Sequence, residues 1–483
     1  MNKSKNTDRH EAGVSGNSQS TFLSTQRNAI RTLTVLVIIY TTIAGVFSIR
    51  FLPSSNGQPL RIEEPSNYTE DPVQLPVIEP LSTKQDVVDL KKEEIELVGE
   101  LLKNFPDSYE SLTITGNLYY RHGDVIEAQK FWDESLKLNP NQANVYNNIG
   151  WLYMKKGDFE NAIAQFRKAL KADPELPNVH SNIGHALMIL GRPEEAITDL
   201  TKELQISPKS DFANFLLGQV YMQLKEYQKA QQYYETAIKI TPEYTSAYYG
   251  LSTACARLGD HNKAKEYSES FKKLKARERK NLKGRKIKYN DFVETQKSAA
   301  ITYINVGRIY RENGNLTKAE ELLKQAAGLD PNNVVSFLEL ATLYQLSNQP
   351  SKTLQMYKKI SEVQPESSLP YFVIGMLSAQ LKQYDDSEKA FRRLIELVPN
   401  KSDGYRELAR VYLKTNKNLS QARQLAEKAV AIKASADNYY ILSCAFYSNG
   451  EIVRASAAIQ RALKLDPGNK QYMLLYENIQ QRK

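Results

Sequence analysis

The chain has 483 residues, of which 41% are hydrophobic and 25% are charged, and its formal net charge is +9. This length excludes a single compact core, whereas it suits an extended array with appendages. The two cysteines, Cys255 and Cys444, are nearly two hundred residues apart. We therefore expect no disulfide between them.

The N-terminal region contains a predicted membrane segment. Residues 1–31 are rich in polar residues and are predicted to form a disordered cytoplasmic tail. Residues 32–49 carry no charge and, at about 1.5 Å per residue, reach roughly 27 Å, enough to cross a bilayer as a transmembrane helix. Basic residues are concentrated before this stretch, while acidic residues dominate after it. The positive-inside rule therefore predicts a cytoplasmic N-terminus and an extracytoplasmic remainder, on the periplasmic or exported side.

The same segment has a second interpretation. Val46 and Ser48 fit a signal-peptidase site before Ile49, so residues 32–49 could instead be a cleaved signal sequence. We favour an uncleaved signal anchor, because the apolar stretch is longer than a usual signal core.

A connector and a capping helix follow. Residues 50–83 carry six prolines and five acidic residues, which predicts a stiff, extended stalk that spans up to roughly 100 Å at about 3.1 Å per residue. Residues 84–108 are predicted to form an N-terminal capping helix or degenerate repeat.

A unit of 34 residues then repeats along the chain, as residues 143–176 show. Apolar residues at helical spacing predict two amphipathic helices, divided by a turn at Gly157. Small residues at positions 8 and 20 allow the two helix axes to approach closely, and large residues fill the space around them. Asp173–Pro174 ends the second helix. The recurrent positions in this unit are Gly150, Tyr153, Gly157, Ala162, Phe166, Ala169 and Pro174.

This pattern closely resembles the tetratricopeptide repeat (TPR). The resemblance implies an all-α, right-handed superhelical solenoid of about ten helix pairs. Five repeats are predicted over residues 109–278 and five over 300–467, with a basic helical spacer at 279–299 and a C-terminal capping helix at 468–483.

The junction between the two blocks is strongly basic. Residues 272–288 contain ten basic residues and one acidic residue, a net charge of +9 that equals the charge of the whole chain. Either the second helix of the fifth repeat continues as a solvated spacer, or the strip binds an acidic polysaccharide, lipid or protein. The basic strip comprises Lys272, Lys273, Lys275, Arg277, Arg279, Lys280, Lys283, Arg285, Lys286 and Lys288.

Catalytic and cofactor motifs are not found in the sequence. The five histidines have no metal-ligand spacing, and no phosphate-binding loop or nucleophile elbow occurs. We therefore expect no enzyme activity, no metal and no cofactor.

The resemblance also implies a binding surface. In arrays of this family, first-helix positions 2, 5, 6, 9, 12 and 13 line a concave groove, and some members hold an extended peptide there with a ladder of asparagines. An Asn amide can pair with both N–H and C=O groups of a peptide. Here the ladder is incomplete, because Glu339 and Glu407 replace Asn at position 6. The predicted groove residues are Asn117, Arg121, Asn148, Lys155, Asn182 and Asn305.

The sequence thus predicts a membrane-anchored scaffold or assembly factor that binds an extended segment of a partner protein in its groove. The alternative is an envelope factor that binds an anionic polysaccharide or lipid through the basic strip. Nucleic acid is not expected as a partner, since the strip is predicted to lie outside the cytoplasm.

Overall fold

The computed structural model describes residues 72–285 and 290–482, and every regular element in these ranges is an α-helix. The predicted transmembrane segment and most of the predicted stalk lie outside the described residues. The helices are α1 (Lys84–Asn104), α2 (Tyr109–His122), α3 (Val125–Leu138), α4 (Ala143–Lys156), α5 (Phe159–Ala172), α6 (Val179–Ile189), α7 (Pro193–Ile206), α8 (Asp211–Gln223), α9 (Tyr227–Ile240), α10 (Thr245–Arg257), α11 (His261–Arg285), α12 (Asn290–Glu312), α13 (Leu316–Leu329), α14 (Val334–Leu346), α15 (Pro350–Val363), α16 (Ser368–Gln380), α17 (Tyr384–Leu397), α18 (Ser402–Thr415), α19 (Leu419–Ile432), α20 (Ala436–Ser448), α21 (Ile452–Leu465) and α22 (Lys470–Gln480).

The helices form ten consecutive pairs, which we number as repeats 1 to 10, from α2–α3 to α20–α21. Within a repeat, the first helix packs along the second. Among repeats 1 to 5, and likewise among repeats 6 to 10, the second helix packs on the first helix of the next repeat. The predicted all-α stack of helix pairs is therefore confirmed.

Local sequence determines where the helices of a repeat begin and end, as repeat 2 shows. Gly157 adopts φ 78°, a left-handed conformation that terminates α4. Asp158 follows at once, and its side chain accepts a hydrogen bond from the backbone N–H of Asn161, which caps α5. The turn and the cap thus occupy two consecutive residues.

Close packing within a repeat depends on a glycine. In repeat 2, a methyl group on Gly150 of α4 would lie 2.5 Å from Cε1 of Phe166 on α5, closer than van der Waals contact permits. Phe166 and Ala162 are both fully buried. Position 8 is therefore glycine because the aromatic ring at position 24 lies directly against the helix backbone.

The described residues divide into two compact units. Unit 1 contains residues 80–285 and 290–295, and unit 2 contains residues 72–79 and 296–482. In unit 1, α1 covers the first repeat with the buried side chains of Leu97, Val98 and Leu101. In unit 2, α22 covers the last repeat, where the ring of Tyr472 stacks on Tyr440 with a centroid distance of 4.9 Å.

Two stretches differ from the boundaries predicted from the sequence. Residues 279–285 continue helix α11 and residues 290–299 begin helix α12, so the predicted spacer contributes to two repeat helices. Residues 72–79, predicted as part of a stalk, form no regular secondary structure and pack against unit 2. The proline-rich composition contains no information about the surface that the segment contacts.

Candidate partner-binding surfaces

The first helices of unit 1 bring two of the predicted asparagines together. Oδ1 of Asn117 on α2 accepts hydrogen bonds from Nε1 of the buried Trp132 at 3.0 Å and from Nδ2 of Asn148 on α4 at 3.2 Å. Asn117 is exposed and Asn148 is half-buried. Nδ2 of Asn117 and Oδ1 of Asn148 make no hydrogen bond to any described residue, so one donor and one acceptor remain available on the surface.

Asn182 is more deeply buried than the sequence predicted. It was expected to face solvent, but it is only 3% exposed, and its Nδ2 donates to Oδ1 of Asn147 at 3.2 Å. The neighbouring repeats pack closely enough here to enclose the short side chain. Asn182 therefore links repeats 2 and 3, and its replacement would affect the fold as well as the surface.

The two predicted cations of unit 1 already have partners within the unit. Arg121 forms an ion pair with the buried carboxylate of Glu94 on α1. Lys155 donates to the hydroxyl of Tyr120 at 2.7 Å and lies 4.7 Å from the centroid of the same ring. Arg121 thus helps to attach the capping helix, whereas the exposed Lys155 lies on the same helix as Asn148, about two turns further along.

The same face becomes apolar toward repeat 5. His185 on α6 packs edge-on against Phe212 on α8, with ring centroids 6.2 Å apart. Ile189 is 46% exposed and Tyr249 on α10 is 62% exposed. Burial lowers the pKa of His185, so this ring is neutral at pH 7. The first-helix face of unit 1 therefore combines an amide end with a neutral, aromatic end.

The first-helix face of unit 2 is charged. Asn305 lies on α12, in unit 2 and not with the other predicted asparagines, and accepts a weak hydrogen bond from Arg308 at 3.5 Å. Arg308 and Arg311 both bind the carboxylate of Glu339 on α14. The amide at position 6 of repeat 6 is thus surrounded by an ion-pair cluster.

A second cluster occupies repeat 9 of unit 2. Glu407 on α18 is 4% exposed and pairs with Arg406 at 2.8 Å and with Arg410 at 3.1 Å. Burial alone would raise the pKa of Glu407, but Arg410 and Arg406 lower it below its ordinary value. The carboxylate therefore remains ionised inside the helix stack, held between two guanidinium groups.

The basic strip lies partly on α11. Its described members are exposed, and only Lys275 and Arg277 form ion pairs with described residues, with Glu278 and Glu243. These members are Lys272, Lys273, Lys275, Arg277, Arg279 and Lys280. The side chains of Lys283 and Arg285, together with Lys286 and Lys288, lie outside the described residues.

Comparison with protein families decides the identity of the repeats. A model described as a tetratricopeptide repeat matches residues 177–210, 245–277 and 300–333. Further tetratricopeptide or TPR repeat models match residues 131–164, 150–191, 212–244 and 374–438. Together these matches cover about half of the chain and lie in both units. The chain is a tetratricopeptide repeat protein.

Several solved structures are similar to this TPR protein. The crystal structure of MamA is 27% identical, and the match covers 35% of this chain and 96% of that chain with a TM-score of 0.32. YrrB, described as a TPR protein with an unusual peptide-binding site, is 16% identical over 37% of this chain and 92% of that chain, with a TM-score of 0.33. Yeast Tom70 is 16% identical over 77% of this chain and 96% of that chain, with a TM-score of 0.30. A comparison with curated proteins found no match.

The charged clusters of unit 2 are a feature of this TPR protein that sequence reasoning missed. Glu339 and Glu407 stand at position 6, where the sequence suggested only an interrupted ladder. The available signal was the presence of arginines at inward positions of the same or the preceding repeat, namely Arg308, Arg311 and Arg410. Charges of opposite sign three residues apart on one helix, or at facing positions of neighbouring repeats, predict such ion pairs.

Three further features concern the described part of the TPR protein. Within residues 72–285 and 290–482, no helix combines the length and the apolar character that crossing a bilayer requires. The same ranges contain no group of three or more His, Cys, Asp or Glu side chains arranged to hold a metal ion. Both cysteines are buried and unpaired, and burial raises the pKa of the Cys444 thiol to about 12.

Proposed function

We propose that this tetratricopeptide repeat protein is a non-catalytic scaffold that holds an extended segment of a partner protein along the first-helix face of unit 1. One observation carries the proposal: the side chains of Asn117 and Asn148 are hydrogen-bonded to each other across adjacent repeats, and Nδ2 of Asn117 and Oδ1 of Asn148 have no partner in the described part of the chain. A donor and an acceptor on neighbouring side chains suit the C=O and N–H groups of an extended peptide. The exposed Ile189 and Tyr249 offer apolar contact to the side chains of the same segment.

Site-specific photo-crosslinking tests this function. A photoreactive phenylalanine analogue in place of Lys155, which is exposed on the first helix α4, introduced into the full chain in its native cells, should capture a partner. The same group at Lys171, which is exposed on the second helix α5, is the matched control and should capture little. Capture at position 171 but not at position 155 would assign binding to another face.

Affinity for the captured partner then tests the amide pair. The double substitution Asn117→Ala and Asn148→Ala should weaken binding roughly five-fold to 150-fold, because each hydrogen bond contributes about 0.5–1.5 kcal/mol. Asn182 is left unchanged because it is buried. Unaltered affinity in a folded double variant would contradict the proposed site.

We further propose that residues 32–49 anchor the protein in a membrane, with a cytoplasmic N-terminus and extracytoplasmic repeats. The uncharged stretch and the charge asymmetry around it support this topology. Lys275→Cys should react with a membrane-impermeant maleimide in intact spheroplasts, whereas Ser4→Cys should react only after permeabilisation. The reverse labelling pattern would invert the topology.

The exposed basic residues of α11 favour one alternative function, which is binding of an anionic polymer or lipid surface. Lys272, Lys273, Arg279 and Lys280 have no ion-pair partner in the described part of the chain. Such binding should weaken steeply between low and physiological salt, while binding at the amide pair should change little. Salt dependence of partner capture therefore distinguishes the two functions.

A further inference from the structure

Residues 72–79, which we call the strap, lie across three helices of unit 2. The backbone N–H of Val73 donates to Oε1 of Gln355 on α15 at 2.7 Å. Near the other end of the strap, Nε2 of the buried Gln296 on α12 donates to the backbone carbonyl of Glu79 at 3.0 Å. Two side-chain amides thus bind the strap through its backbone.

A glycine on α13 makes room for the middle of the strap. A methyl group on Gly328 would lie 2.7 Å from the carbonyl oxygen of Pro76 and 3.0 Å from the side chain of Ile78. Any side chain at this position would therefore displace the strap.

The other repeats show that the glycine is not required by the helix pair. Glycine is unfavourable within a helix, as at Gly328 inside α13, unless a close approach requires it. The equivalent residues of the other nine second helices are Lys137, Lys171, Gln205, Lys239, Lys273, Glu362, Glu396, Ala431 and Lys464. Repeat 6 alone lacks a side chain here, and it is the repeat on which the strap lies.

Most of the apolar side chains of the strap are also directed toward unit 2. Val73, Leu75 and Ile78 are half-buried, whereas Val77 is 91% exposed. Pro72 and Pro76 restrict the free segment to extended conformations, which reduces the entropy lost on docking. The segment is therefore preorganised for the surface that it occupies.

We propose that α12, α13 and α15 carry a second peptide-binding site, specific for an extended, proline-containing apolar segment, and that residues 72–79 of this chain are its occupant. The site lies outside the first-helix face. Docking holds residues 72–79 on unit 2, and release of this eight-residue strap frees a segment that spans roughly 25 Å, at about 3.1 Å per residue. The relevance of this length to a membrane anchor rests on the proposed function. The docking of the strap does not depend on that function.

Occupancy in the same chain sets a bound on the affinity of the site. A flexibly tethered segment has an effective concentration on the order of 1 mM. If the site is filled about nine-tenths of the time, the free peptide must bind an empty site with a Kd of roughly 0.1 mM or tighter. The same peptide should compete poorly for wild-type protein.

Thiol reactivity in the full chain tests docking. Both native cysteines are buried, so Ile78→Cys supplies the reactive thiol. Adding Gly328→Lys, the residue found at this position in five other repeats, should accelerate alkylation at least several-fold while leaving thermal unfolding unchanged. Ala431→Lys, the equivalent exposed position of α19, is the matched control and should have no effect. Equal alkylation rates in all three proteins would overturn the docked strap.

Binding of a separate peptide tests the site itself. A fluorescent peptide with the sequence of residues 72–79 should bind full-length Leu75→Glu/Ile78→Glu protein, whose own strap is released, with a Kd near or below 0.1 mM. It should bind neither wild-type protein nor the triple variant that also carries Gly328→Lys. Lack of binding to the released variant, or equal binding to the triple variant, would overturn the second site. Neither result depends on a membrane or on the Asn117–Asn148 pair, so the proposed function is tested separately.

Discussion

The two units of this protein share one repeat architecture, yet a buried carboxylate within the repeats of each unit is held in a different way. In unit 1, Glu203 on α7 is fully buried and accepts a hydrogen bond from the backbone N–H of Asn178 at 2.9 Å, and burial raises its pKa. In unit 2, Glu407 is equally enclosed, but its two arginine neighbours outweigh burial and lower its pKa. The same helix pair thus tolerates a buried acid either as a cap of a neighbouring helix or as the centre of an ion cluster.

This difference extends to the surfaces. The first-helix face of unit 1 presents unpaired amide atoms and exposed apolar rings, whereas that of unit 2 presents arginines neutralised by glutamates. Amide and aromatic groups lose little when a peptide covers them, but a charged cluster must first be desolvated. Unit 1 is therefore better suited to a neutral extended segment.

The largest expected effect comes from breaking the ion cluster. Glu407→Gln removes the carboxylate that pairs with Arg410 and leaves Arg406 with Asp403, which should cost about 3 kcal/mol of local stability because a buried ion pair is broken. Hydrogen exchange of α18 to α20 under increasing denaturant measures the change, because a repeat array unfolds locally. Glu339→Gln, in the more accessible cluster, is the matched control and should cost less. A loss below about 1 kcal/mol for Glu407→Gln would show that the cluster is not stabilising.

Glycine substitutions compare packing in the two units. Gly150→Ala brings a methyl group 2.5 Å from Phe166, whereas Gly307→Ala brings one 3.1 Å from Leu323. We expect a loss of about 1–3 kcal/mol for Gly150→Ala. Gly307→Ala should be nearly neutral, because the better helix propensity of alanine offsets the tighter contact. Similar stability losses for both variants, measured by hydrogen exchange of the affected repeats, would contradict the idea that Gly307 has more room for an added methyl group than Gly150.

Lowering the pH should change the stability contributions of the buried Glu407 and Glu203 in opposite directions. The pKa of Glu407 is lowered in the folded state, so its contribution is present above roughly pH 4.3, the ordinary value for Glu, and is lost as the pH falls further. The pKa of Glu203 is raised, so its ionised form destabilises the fold at neutral pH and protonation relieves this as the pH falls.

Each wild-type carboxylate should therefore be compared with its Gln variant by hydrogen exchange between pH 7 and pH 3. As the pH falls, the free energy of local unfolding of the wild-type protein relative to Glu407→Gln should decrease by an amount on the order of 1 kcal/mol. The same quantity relative to Glu203→Gln should increase. Parallel trends at both positions would contradict the opposite pKa shifts.

The smallest expected effect is that of Glu203→Gln at neutral pH. The amide oxygen of Gln can still accept the N–H of Asn178, and removal of the buried charge compensates for the weaker hydrogen bond. We expect a change within about 1 kcal/mol, far below that of Glu407→Gln. A loss as large as that of Glu407→Gln would show that the charge itself is needed to cap α6.

About half of the candidate surface in unit 1 could be predicted from sequence. The repeat register placed Asn117 and Asn148 on one face, and the structure brings them within hydrogen-bond distance. The register could not show that Asn182 is enclosed by its neighbours, or that Asn305 lies among the arginines of the other unit. Burial depends on how closely adjacent repeats approach, which a single repeat pattern does not encode.

The sequence by itself determined the helix pairs, because each is defined by contacts that recur every 34 residues. Gly150 and Phe166 illustrate this: both partners of the contact lie in one repeat. Only the tertiary structure decided where the strap docks. Its hydrogen bonds join residues 217 and 282 positions apart, and such contacts leave no periodic signal. Gly328 appears in the sequence as a departure from the repeat, and only the carbonyl of Pro76 lying against it gives the physical reason.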